Sequence, residues 1–176
     1  LNFNLVAMQN NQIVLNIIRF CTFLLLQVIV LNHINFFGYI NPYAYIIFIL
    51  LFPFDGNKTL LIFLSFLLGL SIDLFSDSGG VHAAACVLVG FLRPILLKFS
   101  FGVSYQYNVA KINKVTFKER LLYITSMVFI HHFMLFSLEI FSLHHIALIL
   151  KSTLFSGIFS VLLIVCILLL FKREEN

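Results

Sequence analysis

Charge is what this sequence has least of. Only 10% of its 176 residues are Asp, Glu, Lys or Arg, while 61% are hydrophobic and the mean hydropathy is +1.07. A soluble domain carries roughly 25% charged residues, so this scarcity excludes one and makes the chain an integral membrane protein. Cysteine is also sparse. Cys21, Cys86 and Cys166 each lie inside an apolar run, with no CxxC and no Cys/His ligand spacing. They read as small buried hydrophobes rather than as disulfide partners or metal ligands. Catalytic signatures are missing too. There is no HExxH, no GxSxG, and no Ser or Cys with an evident base beside it. No metal, no cofactor and no enzymatic activity are therefore expected.

What the chain has in abundance is long apolar runs. They lack the strict alternation of barrel strands and have the lengths of helices. Because backbone groups in lipid must be satisfied internally, the expected fold is all-α: a single polytopic membrane bundle of six transmembrane helices, with five as the alternative. The expected spans are about 13–31, 36–54, 59–75, 81–99, 121–143 and 146–171. Met8 is a candidate start of translation, and the first run, which ends without a small-residue cleavage site, reads as a retained anchor. Arg19, about two turns inside it, is placed to snorkel back toward the starting side. The second span is interrupted by Asn41 and Pro42. From Tyr43 its apolar part is about 18 Å of helix at 1.5 Å per residue, short of the roughly 30 Å hydrocarbon core. It is either kinked at Pro42 or re-entrant.

Charge asymmetry sets an expected orientation. Residues 101–120 form a basic loop with Lys111, Lys114, Lys118 and Arg120. Such a loop marks the cytoplasmic side of a membrane rather than a nucleic-acid site. With six spans, both termini are cytoplasmic as well. Lys58, Lys98, Lys172 and Arg173 then also fall inside, Arg19 and Arg93 lie in the cytoplasmic halves of their spans, and only Lys151 lies toward the outside. Tyr39, Tyr43 and Tyr45 are expected at the outer boundary, and Tyr105, Tyr107 and Tyr123 at the inner one.

The chain turns on residues 69–94, GLSIDLFSDSGGVHAAACVLVGFLRP. An apolar helix end carrying Asp73 is followed by a polar turn (Ser76 to Gly80). A second helix then opens with His82 and carries Arg93 and Pro94. Gly69, Ala83, Ala84, Ala85 and Gly90 allow a tight hairpin. His82, Cys86, Val89 and Arg93 share one face of the fourth span. Thr125, His132 and Glu139, seven apart, share one face of the fifth. Charged groups at membrane depth need a partner, a wet cavity or an escape to the interface, so these faces are expected to point inward. By depth, His82 is the expected cross-helix partner of Asp73, with Arg93 the second candidate. Three readings compete for the cluster: groups that pair to fix helix packing, a cavity or docking surface open to the outside, or a metal or catalytic site. His131–His132 and His144–His145, being adjacent in sequence, point to different helix faces and make poor bidentate ligands.

The NPY turn at Asn41 to Tyr43, the short second span ending around Pro53 and the 69–94 run resemble the MreD family of bacterial rod shape-determining membrane proteins. The resemblance is most specific over about 41–94. It implies a non-enzymatic inner-membrane scaffold of the cell-elongation machinery. Such a scaffold binds MreC and works beside RodZ, the MreB filament, the RodA polymerase and its partner transpeptidase. Matching the motif carries over Asp73, Gly79, His82, Arg93 and Pro94, with no catalytic role. The family is similar in fold to the substrate-binding subunits of energy-coupling-factor vitamin transporters, which supplies the alternative of a small-molecule-binding subunit.

Overall fold

A computed structural model describes residues 2–35, 38, 40–53, 56–102 and 116–170, with the backbone alone for 2–12 and 143. Among the described residues, five long helices surround a short one. Helix α1 (Asn2–Leu25) continues through a π turn (Leu26–Val30) and a 3-10 turn (Leu31–His33). The others are α2 (Ile46–Leu51), α3 (Lys58–Ser76), α4 (Val81–Phe101), α5 (Phe117–Ile140) and α6 (Ile146–Leu170). The α1 run and α3 to α6 are each long and apolar enough to cross a membrane. Helices α3 to α6 pack in sequential antiparallel order, and α1 lies against α2 and α3.

Local chemistry sets the helix ends. Asn57 opens α3, its Oδ1 accepting the N–H groups of Thr59 (2.9 Å) and Leu60 (3.3 Å). Thr116 and Glu119 form a reciprocal capping box, so α5 starts at Phe117, before the expected 121. Lys118 and Arg120 are therefore helical rather than part of the loop; Lys111, Lys114, Tyr105 and Tyr107 lie outside the described residues. Phe141, at φ 41°, ends α5 earlier than the expected 143. Helix α4 continues unbroken past Pro94, seven residues before its end at Phe101.

The α3–α4 hairpin is as tight as its small residues suggest. A Cβ on Gly69 would stand 2.4 Å from Ala83 Cα, and one on Gly90 would stand 2.9 Å from Ser65 Oγ. In the connecting turn, Asp77, Gly79 and Gly80 all have positive φ. Gly79 (φ 67°) has open space around it, so its requirement is conformational rather than steric.

The second span departs most from expectation. Among its described residues the one helix is the six-residue α2. Asn32 Nδ2 donates to Ser76 Oγ at 2.9 Å, which places the end of the first crossing beside the end of α3. The chain between them must therefore run back the whole length of α3, about 28 Å. It does so through the middle of the bundle, with Asn41 to Tyr45 non-helical and α2 completing the return. Tyr45 to Leu50 are at most 1% exposed. Non-helical backbone is tolerated at membrane depth only when enclosed by protein, and here the other helices enclose it. Tyr43 and Tyr45 are thus core residues and not the boundary anchors expected. Tyr123, expected near the inner boundary, is also fully buried.

Candidate functional site

The enclosed segment needs partners for its main-chain groups. Ser156 Oγ accepts the Asn41 N–H (3.1 Å) and Ser160 Oγ accepts the Tyr43 N–H (3.0 Å). Four residues of helix rise about 6 Å and two residues of extended chain advance about 6.6 Å, so two serines one turn apart match two alternate amides. Pro42, between them, has no N–H to satisfy. Gln27, fully buried in the π turn, takes what remains. Its Oε1 accepts the Ala44 N–H (2.9 Å), and its Nε2 donates to Pro42 O (3.1 Å) and to Asn32 Oδ1 (2.9 Å).

The far end of the segment is held by arginines. Arg93 donates through Nη2 to Phe52 O, through Nη1 to Pro53 O (3.5 Å) and through Nε to Tyr123 Oη (2.9 Å). Arg19 Nη1 donates to Leu51 O at 3.4 Å. Cations at the carbonyl end of a helix are favourably placed. Arg93 is therefore committed to α2, not to Asp73, and Arg19 turns inward to the same end instead of snorkelling outward.

Asp73 is buried, but its partner is the main chain of His82 rather than the imidazole. Its Oδ1 accepts the His82 N–H (3.0 Å) and the Ser78 hydroxyl (2.6 Å), and its Oδ2 accepts the Ala83 N–H (2.9 Å). The residue preceding α4 is Gly80, which has no side chain to cap with. Asp73 supplies that cap from α3, placing an anion at a helix N-terminus.

The His82 ring goes elsewhere. Tyr45 Oη lies 2.8 Å from His82 Nδ1 and 2.9 Å from His131 Nε2. A phenol has one hydrogen, so one imidazole accepts from it and the other donates to it. Among the described residues, His131 Nδ1 has no hydrogen-bond partner. His132 Nδ1 donates to Val128 O (2.8 Å), which leaves Nε2 to accept from Ser160 Oγ (3.1 Å). His131 and His132 are both fully buried with ring centroids 5.5 Å apart, and they reach different partners, Tyr45 and Ser160.

The inward face of α4 is as expected: His82, Cys86, Val89 and Arg93 are all buried. On α5 the expected face divides. His132 is buried against Ser160, Thr125 is half-buried, and Glu139 is exposed near the end of the helix. There it joins Asn32, Asn41, Tyr43, Phe75 and His82 around a cavity of about 340 Å³. Phe75 and Ser76 in its wall are exposed, so it opens at the Ser76 end of the bundle.

The Ser160–His132 contact has the reach of a nucleophile–base pair, one that sequence spacing could not show. Both residues are fully buried, neither lines the cavity, and the Ser160 oxygen already accepts the Tyr43 N–H. The pair anchors the internal segment. Among the described residues, no group of three or more His, Cys, Asp or Glu is placed to hold a metal ion. Tyr45, His131, Gln27, Ser156 and Ser160 were not legible as a set, because their common feature is the segment they enclose.

Fold and site define a multi-pass, all-α membrane protein built around an enclosed segment of its own chain. Comparison with protein-family models, curated proteins and solved structures yields no match.

Proposed function

We propose that the protein is a non-enzymatic scaffold of the bacterial inner membrane, of the MreD kind, that binds MreC and helps to position peptidoglycan synthesis during rod-shaped growth. RodZ, MreB, RodA and its transpeptidase are the surrounding machinery in this reading. One observation carries it: the buried polar groups Asp73, Arg93, His132 and Tyr45 are used up in holding the bundle together. The residues behind the family resemblance are also those that build the centre. Asn41 to Tyr43 dock on α6, Pro53 meets Arg93, and Asp73 caps α4. Lys58, Lys98, Lys118 and Arg120 lie at the ends of α3, α4 and α5 away from Ser76, which supports placing that end in the cytoplasm. Depletion in the native bacterium and co-purification with MreC test the proposal. Loss of rod shape and recovery of MreC are expected; normal shape without MreC association removes it. Reporter fusions should place 111–120 inside the cell.

The cavity favours a second reading, a substrate-binding subunit of a vitamin-type transporter. Thermal-shift screening of vitamins in detergent tests it, and stabilisation by none of them counts against it.

A further inference from the structure

The cavity at the Ser76 end has a defined chemistry. Its one carboxylate is Glu139, which makes no ion pair among the described residues, and no Lys or Arg is among the residues that line it. Tyr43 and Phe75 contribute aromatic rings and Asn32 and Asn41 carboxamides, and two histidines line it: His33, exposed, and His82, whose Nδ1 is already taken by Tyr45. At about 340 Å³ it is at the small end of ligand pockets. A single acid, aromatic walls, carboxamides and the absence of Lys and Arg from the lining together select a cation with a small organic body.

We propose that this cavity binds an alkylammonium group, with Glu139 as its counter-ion and the Tyr43 and Phe75 rings as its walls. The group could come from a free amine or from the ethanolamine headgroup of a lipid, since the cavity opens where a headgroup would lie. The inference deepens the cavity reading and is independent of MreC binding. Failure to bind vitamins does not touch it.

The test is equilibrium dialysis of the purified protein in nonionic detergent with radiolabelled ethanolamine, competed by ethylammonium and by neutral ethylene glycol. Saturable uptake that ethylammonium displaces and ethylene glycol does not is expected. Glu139→Gln should weaken it by about tenfold or more, as loss of a charge-assisted contact implies. Asp77→Asn, at the same end but outside the lining, should leave it unchanged. Glu139 is exposed, so the variant should fold, and far-UV circular dichroism checks that it does. In a second arm, nanodiscs containing phosphatidylethanolamine or phosphatidylglycerol are compared by native mass spectrometry for lipid retained after delipidation. Free-amine uptake without lipid preference assigns a soluble amine. Selective, Glu139-dependent retention of phosphatidylethanolamine assigns the headgroup. Neither binding in either arm, or full binding by Glu139→Gln, overturns the proposal.

Discussion

Asp73 on α3 caps Ala83 on α4: the carboxylate Oδ2 accepts the Ala83 N–H at 2.9 Å, and one helical turn back from Asp73, Gly69 packs on the same residue's Cα. The close approach and the cap depend on each other. Only a helix start brought this near can be capped by a side chain from its neighbour, and the cap leaves Gly80 free to turn the chain at φ 95°.

Asp73→Ala should therefore lower the amount of folded protein. It removes acceptors from two buried N–H groups and from Ser78, a loss of about 1–3 kcal/mol. Asp73→Asn should recover part of this, because one of its terminal atoms becomes a donor facing a donor. Membrane levels and thermal stability in detergent check the order. A wild-type level for Asp73→Ala, with loss of the proposed MreC association, would instead make Asp73 a partner contact.

The two glycines of the hairpin should differ in sensitivity. A methyl group on Gly69 meets the Ala83 backbone, which can yield only if the helices separate. On Gly90 it meets Ser65 Oγ, a side-chain atom that can rotate away. Gly69→Ala should cost about 1–3 kcal/mol and Gly90→Ala clearly less. Equal melting temperatures for the two variants would show that the close approach is not as drawn.

The hairpin was legible in the sequence because each of its signals is local. Gly69, Asp73, the Ser76–Gly80 turn and the His82–Arg93 face lie within a few helical turns of one another. Long apolar runs likewise made α3 to α6 visible. The enclosed segment was not legible in the same way. Its apolar stretch announced itself as too short for a lipid-facing helix, but hydropathy does not distinguish a segment bathed in lipid from one wrapped in protein. Its partners are remote: Ser156 and Ser160 lie 115 and 117 residues from the amides they receive. Gln27 and His131 gave no periodic signal, since a single polar residue in an apolar run acquires meaning only from what it faces.

Tyr45→Phe tests the centre. Removing one oxygen strips a hydrogen bond from both His82 Nδ1 and His131 Nε2. Buried groups left without partners cost about 1–3 kcal/mol each, so a clear fall in thermal stability is expected. Tyr43→Phe should be milder, since the bond that anchors Tyr43 to Ser160 is made by its main chain. If Tyr45→Phe melts with the wild type, the hydroxyl does not bridge the two rings.

Arg93 gives the sharpest test of the internal crossing. Arg93→Met preserves much of the apolar stem but leaves the Phe52 and Pro53 carbonyls and the Tyr123 hydroxyl without this donor. A loss on the order of 3 kcal/mol is expected. Arg93→Lys should recover only part of it, because one ammonium cannot reproduce the guanidinium fork that reaches α2 and α5 together. Release of the clamp should also loosen the chain just before α3. Trypsin cleavage after Lys58 in detergent should therefore be faster in Arg93→Met than in the wild type, before the rest of the protein unfolds. Wild-type stability with unchanged cleavage would mean that the segment is held in place without Arg93.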